Sequence, residues 1–232
     1  MPKRNPPLIT GTHYHVFNRT IAGQKVFITS ADIKRMLDLV DYCRFPHRIR
    51  YSELIRKTPK EQKNMLSNII EEFDPVIELY TAEIMSNHYH IIAKQLAEDG
   101  IRYFVSNLQN AFAKYYNDKY DRNGGMFQSP FKAINIESEE QLKHIIRYNH
   151  LNPVTAGIIS IDELEYYETS SFQYYVHNDR TPIRLFDPKN PKAKFISTHL
   201  ILSLFETGQA YKQFVFNQAD YQRSLHELKK LI

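Results

Sequence analysis

Nowhere in the 232 residues do the roughly 18 consecutive apolar side chains of a membrane-spanning helix occur; the most apolar window, 195–205, is short and carries Ser197, Thr198 and His199. The basic residues 1–7 lead into Gly11, Thr12 and His13 rather than an apolar secretion core, so a cytoplasmic chain is expected. A single cysteine, Cys43, excludes an internal disulfide framework and a thiolate zinc cluster, and its place in a helical pattern points to packing. There is no low-complexity stretch and no internal repeat. What is present, 42% hydrophobic and 24% charged residues, describes a globular chain of one large or two small domains. Sixteen Tyr and fourteen Phe, without any Trp, suit core filling and base stacking alike.

The net charge of +4 is unevenly spread: +8 over residues 1–60, −6 over 61–99, +2 over 100–160 and zero beyond. Arg44, Arg48, Arg50, Arg56 and Lys57, interleaved with Tyr42, Phe45 and Tyr51, have the composition of a phosphate-contacting, base-stacking surface, although charge alone favours a solvated helix face.

Period-two chemistry over 12–17 predicts a strand with Tyr14 and Val16 on one side and His13, His15 and Phe17 on the other. Ile33, Met36, Leu37, Val40 and Cys43 predict a helix over 31–44 behind a Ser30 cap. One or two short helices follow in 52–73. Two strands, 76–85 and 88–94, flank a break at Ser86-Asn87. An apolar face from Ile101 to Tyr116 predicts a long helix stopped by Asn123-Gly124-Gly125, and 126–136 reads as a strand interrupted by Pro130. Ser138 and Gln141 form a capping-box spacing for a third helix over 139–151, ended by Pro153 and Gly157. This order predicts an α+β fold with helices packed on one face of an antiparallel sheet. Apolar helical patterns at 198–205, 210–216 and 221–231 predict a C-terminal helical extension. The expected division is 8–160 and 161–232.

The densest chemical cluster is Asn87-His88-Tyr89-His90. Two histidines two apart on a strand share a face and can chelate one divalent ion. Ten histidines make chance pairs expected, and His13 and His15 have the same spacing. In the third helix, Tyr148 and Asn152 stand at i and i+4 on one face, with His144 a turn earlier. A phenol is a poor nucleophile at neutral pH, and a nearby divalent ion polarising a phosphate would lower the barrier to its attack. Spacing alone does not bring that helix to the histidine strand.

Taken together, Tyr14-His15-Val16-Phe17-Asn18-Arg19, Met85-Ser86-Asn87-His88-Tyr89-His90, Met126-Phe127-Gln128-Ser129-Pro130-Phe131-Lys132-Ala133, the run from Arg147-Tyr148-Asn149-His150 through Leu151-Asn152-Pro153 to Gly157, and Ser170-Ser171-Phe172 resemble the REP-associated tyrosine transposases. These are relatives of the single-tyrosine insertion-sequence transposases of the HUH endonuclease superfamily. The resemblance spans about residues 8–175. It implies a ferredoxin-like α+β domain, a Mg2+ or Mn2+ ion on His88, His90 and Asn152, and Tyr148 as the nucleophile. The implied activity is that of a metal-dependent endonuclease and strand transferase, cutting single-stranded DNA at or near a hairpin through a 5′-phosphotyrosine. It also implies a single-stranded or hairpin DNA partner, a cytoplasmic, nucleoid-associated location, and a monomer or homodimer. Arg19, Arg102, Lys132 and Arg147 are the candidate phosphate contacts.

Phe127 and Phe131 are expected in the core, and Asn87 in the turn before His88. The chain departs from the family at Ser129-Pro130, at Asn149, where an apolar residue is usual, and in the longer 52–73 segment. Two other readings fit the same residues: a DNA-binding protein that no longer cuts, and a metal-dependent nuclease in which water attacks and Tyr148 only packs. The intact set His88, His90, Tyr148 and Asn152 argues against the non-cutting binder, and a covalent adduct would separate the transposase from the water-attacking nuclease.

Overall fold

The computed structural model describes residues 7–177, 185–186, 192, 194–219 and 222. Strand β1 (His13–Arg19) alternates as expected, with Tyr14, Val16 and Asn18 buried on one side and His13, His15, Phe17 and Arg19 on the other. Helix α1 (Ser30–Tyr42) starts one residue earlier than its apolar spacing suggests. Thr29 is the cap: its Oγ1 accepts from the Asp32 N–H at 3.2 Å and donates to the Asp32 carboxylate at 2.5 Å. The 52–73 segment forms α2 (Tyr51–Leu54) and α3 (Pro59–Glu72), the latter opened by a Thr58/Glu61 capping box with Pro59 in its first turn.

Strands β2 (Ile77–Met85) and β3 (His88–Gln95) form an antiparallel pair turning at Ser86-Asn87. Leu79 pairs with Ala93 and Thr81 with Ile92, so Tyr80 is an inserted residue at which β2 exchanges the faces of its odd and even positions. Helix α4 (Gly100–Tyr120) begins at a glycine because a Cβ there would stand 2.4 Å from the Val76 carbonyl oxygen. It ends at Asp121, in the left-handed region with φ 48°, just ahead of the expected Asn-Gly-Gly stop.

Strand β4 is shorter than the 126–136 pattern. It covers Lys132–Ile136, because Pro130 has no N–H for a ladder, and Phe127 makes only an isolated bridge to Thr20. Phe127 and Phe131 are partly buried against the core, as expected. Helix α5 (Glu139–Thr155) starts at Ser138, whose Oγ accepts from the Gln141 N–H at 3.1 Å, and runs through Pro153 instead of stopping there. Pro153 lies in the last turn, where its missing N–H costs one helical bond, and Leu151, Pro153 and Val154 are buried around it. Gly157, with φ +69°, then turns the chain. The short α6 (Gln173–Val176) follows. The expected 198–205 and 210–216 patterns contain α7 (His199–Leu202) and α8 (Gly208–Phe216); the 221–231 pattern, Gln222 apart, lies outside the described residues.

The sheet order is β2-β3-β1-β4 with every pairing antiparallel, the βαββαβ ferredoxin-like arrangement. Helices α1 and α4 cover one face, where Gln109 Nε2 donates to the Tyr89 hydroxyl at 2.6 Å. Asp32 of α1 joins the two helices by accepting from Tyr115, Lys119 and Tyr120 of α4 at 2.7 to 2.9 Å. Burial pushes this carboxyl up, but those bonds and Thr29 outweigh it and hold it down to about 2.

Helix α5 lies on the other face, so helices cover both sides of the sheet and not the single face expected, because Thr81 and Glu83 of β2 point away from α1 and α4. Asn149 Nδ2 donates to Thr81 Oγ1, and fully buried His150 meets the Tyr211 hydroxyl of α8 at 2.9 Å and Ser171 Oγ at 3.2 Å. Ser170 bridges to Glu83 of β2, and the Ser171 N–H and hydroxyl both donate to Oε1 of the Glu83 carboxyl. The C-terminal segment therefore packs behind α5. No helix among the described residues is long and apolar enough to cross a membrane.

Candidate catalytic and metal-binding site

Directly opposed residues in an antiparallel pair share a face, so register determines which side chains meet. Arg19 opposes His88, and Phe17 stands between His90 and Lys132. His15 opposes Ile92 and Ile134, and Glu83 opposes His90. The resulting surface carries the histidine pair on a platform of rings. The centroids of His88 and His90 are 5.0 Å apart, edge to face; His90 lies 5.1 Å from His15 and 5.5 Å from Phe17, both nearly parallel to it.

The polar contacts of these rings are specific. His15 Nε2 is 2.9 Å from His90 Nδ1, and His88 Nδ1 is 2.6 Å from Asn87 Oδ1. Asn87 also donates from Nδ2 to the Gly23 carbonyl at 2.9 Å. Burial pushes His15 down to about 4. Burial and the Arg19 charge push His88 to about 4, and burial with the neighbouring His15 and His88 pushes His90 to about 3. All three imidazoles are therefore neutral at physiological pH and keep a lone pair.

Tyr148 and Asn152 come from α5. Tyr148 is 45% exposed, and its hydroxyl has no hydrogen-bond partner among the described residues. Its carbonyl accepts from Gln222 Nε2 at 3.1 Å. Asn152 donates from Nδ2 to Asn149 Oδ1 at 3.1 Å, and so keeps its own Oδ1 as a free acceptor among the described residues. Asn149, the departure from an apolar residue, is thus the hinge between Asn152 and the Thr81 hydroxyl on β2. The structure brings His88 and His90 together and sets α5 against β2, the strand paired with theirs. Among the described residues no hydrogen bond or ring contact joins Tyr148 or Asn152 to the histidine pair.

Of the basic candidates, exposed Arg19 and Lys132 flank the histidines on this face, Lys132 Nζ lying 5.9 Å from the Phe17 ring. Arg147 is half-buried with its guanidinium 4.5 Å from the Phe214 ring. Arg102 lies on α4, across the sheet from the histidines, 3.8 Å from Asp99. The basic first quarter divides. Arg44 is 2% exposed, bonded to Asp41 and to the Lys194 carbonyl, and Tyr42, Phe45 and Tyr51 are buried, so these aromatics fill the core rather than stack on bases. Cys43 is buried too, its thiol pushed up to about 12 by burial, as a packing role requires.

Among the described residues no three His, Cys, Asp or Glu side chains form a metal-holding group. Two neutral imidazoles share this face, and imidazole donors of this kind suit a divalent ion completed by oxygen donors, with imidazole favouring Mn2+ and oxygens accepting Mg2+ as well. The contacts of His15 and Asn87 escaped the sequence reading. Their signal was parity on β1 and adjacency to His88, and neither carries weight until the register is known.

Residues 45–151 match the family model described as "Transposase IS200 like". The fold is similar to a solved structure of a REP-associated tyrosine transposase bound to a REP hairpin, with TM-score 0.51 and 16% identity over 78% of this chain and 89% of that one. No curated protein matches the chain.

Proposed function

We propose that this chain, IS200-like over 45–151, is a metal-dependent endonuclease and strand transferase acting on single-stranded DNA at or near hairpins, with Tyr148 as its nucleophile. The observation that carries the reading is the pairing of two neutral, face-sharing imidazoles on β3 with a solvent-accessible tyrosine on α5, inside the matched segment. Tyr148 Oη attacks a phosphodiester phosphorus. The bond from phosphorus to the 3′ oxygen breaks and the phenolic proton passes to solvent. The departing 3′ oxygen takes up a proton, leaving a 5′-phosphotyrosine and a free 3′-hydroxyl.

His88, His90 and Asn152 would hold a Mg2+ or Mn2+ ion, which when bound polarises the phosphate and offsets the charge that develops on it. Arg19 and Lys132, on the same face, hold the strand by its phosphates, while Arg147 and Arg102 contact DNA away from the reacting bond. Residues 8–160 carry the chemistry, and Ser171, Tyr211, Phe214 and Gln222 of the segment after 160 brace α5 from behind.

The test is incubation with labelled hairpin-bearing single-stranded DNA and Mn2+, followed by a denaturing gel, beside Tyr148→Phe and His88→Ala. A covalent protein–DNA band lost in both variants supports the proposal. Cleavage that survives Tyr148→Phe without an adduct assigns the chain to water-attacking nucleases, and binding to varied hairpins without cleavage assigns it to non-cutting DNA binders.

A further inference from the structure

We infer that His15 and Asn87 are positioning residues that fix the proton of His90 and His88 on Nδ1, so that both rings present an Nε2 lone pair to one ion. The inference rests on the metal-binding part of the proposed function and deepens it. A neutral imidazole has one N–H and one lone pair, and the partner of the first nitrogen determines which role the second takes. At His88 the assignment follows from chemistry: Asn87 Oδ1, 2.6 Å from Nδ1, has no proton to give, so Nδ1 donates and Nε2 keeps its lone pair. Asn87 cannot rotate to offer its NH2 instead without breaking the 2.9 Å bond from Nδ2 to the Gly23 carbonyl.

At His90 the partner is a second imidazole. His15 Nε2 stands 2.9 Å from His90 Nδ1, and one of these two nitrogens carries the proton. If it is His15, the remaining nitrogen of neutral His90 is an N–H and cannot ligate. If it is His90, Nε2 is a ligand and His15 carries its own proton on Nδ1. His15 then plays the part that a carboxylate or backbone carbonyl plays behind most metal-binding histidines, accepting the N–H on the side away from the ion. The position suits the role: His15 is held nearly parallel to His90, 5.1 Å between centroids, and is itself fixed by Phe17 at 4.9 Å. The face-sharing His13 lies two residues away, 3.3 Å from the Tyr80 hydroxyl, and takes no part.

The experiment uses the full chain, labelled with 15N and free of metal, in long-range proton–nitrogen spectra that separate the two tautomers of each ring. The expected result is the Nδ1–H form at His88 and His90. His15→Phe keeps a stacking ring and removes the acceptor; it should shift His90 toward the Nε2–H form and raise the Mn2+ dissociation constant by about 10-fold or more. His15→Gln, which restores an acceptor oxygen, should recover most of that loss. Asn87→Asp keeps the acceptor without the Gly23 bond and should leave His88 in the Nδ1–H form.

An Nε2–H His90 in the unmutated chain, or equal Mn2+ affinity with and without the His15 acceptor in variants that melt alike, overturns the inference. DNA is absent from both readouts. Expected tautomers and Mn2+ affinities without a covalent adduct would therefore defeat the transposase reading alone.

Discussion

Asn149 uses the two ends of one amide on two different neighbours, donating to Thr81 on β2 and accepting from Asn152 one turn along α5. Replacing it by leucine leaves the Thr81 hydroxyl, which is fully buried, without its partner, at a cost of about 1–3 kcal/mol. Adding Thr81→Val removes the orphaned hydroxyl and should return most of that stability. Neither variant orients Asn152. The expected outcome is that chemical denaturation shows a loss for Asn149→Leu and recovery in the double variant, while Mn2+ affinity falls in both. Recovery of metal binding together with stability would mean that Asn152 does not need its neighbour.

The same residue marks what sequence alone conveys. Asn149 was readable as a departure from an apolar position, but its partner lies 68 residues away. The face-sharing of His88 and His90, and the one-turn spacing of Tyr148 and Asn152, were readable because each is local to one strand or one helix. His15 and Asn87 were not, since their contacts depend on cross-strand register and on a loop carbonyl. Arg44 misled for a related reason: a guanidinium counted as surface charge is buried against Asp41 and a distant backbone carbonyl.

Among elements, the junction of β2, α5 and the 170–171 segment holds two titratable groups with opposite pH signatures. Burial raises Glu83 from its ordinary 4.5 to about 8 despite the bonds from Ser170 and Ser171, and burial lowers His150 from 6.5 to about 3. Folded Glu83 keeps a proton that the unfolded chain releases, so its contribution to stability falls as pH rises from about 4.5 to 8. Folded His150 lacks a proton that the unfolded chain binds, so its contribution rises between about 3 and 6.5. Below 6.5 the two oppose each other; from 6.5 to 8 only Glu83 of this pair is changing. Melting temperature should therefore decline across pH 6.5–8, and Glu83→Gln should flatten that decline, as calorimetry at half-unit steps would register. These elements were well marked in the sequence where alternation or apolar spacing was long, as in the 76–94 strand pair and α4. They were poorly marked where burial overrode a breaker, as at Pro153, or where proline withheld a ladder bond, as before β4.

At the scale of the molecule, the helices after residue 160 complete the environment of α5 instead of standing apart from it. Tyr211 meets His150, Gln222 meets the carbonyl of Tyr148, and the Phe214 ring lies beside Arg147. Removing residues 161–232 would open the sites of Glu83 and His150 to water and strip the apolar backing from α5. The shortened chain should lose a single cooperative unfolding transition, whereas Tyr211→Phe should keep it and melt a few degrees lower; scanning calorimetry separates the two. The overall architecture followed from the order of predicted elements. The side on which α5 would lie did not, because that depends on where Thr81 and Glu83 point.

That direction traces to the residue inserted at Tyr80. Before it, Ile77 and Leu79 look toward α1 and α4; after it, Ala82 and Ile84 do, while Thr81 and Glu83 turn toward α5. β2 is therefore a strand written in two phases. A saturation scan should find that the alternation of tolerant and intolerant positions skips a beat at Tyr80, and that deleting this one residue scrambles one half of the strand or the other, whichever end of the register slips.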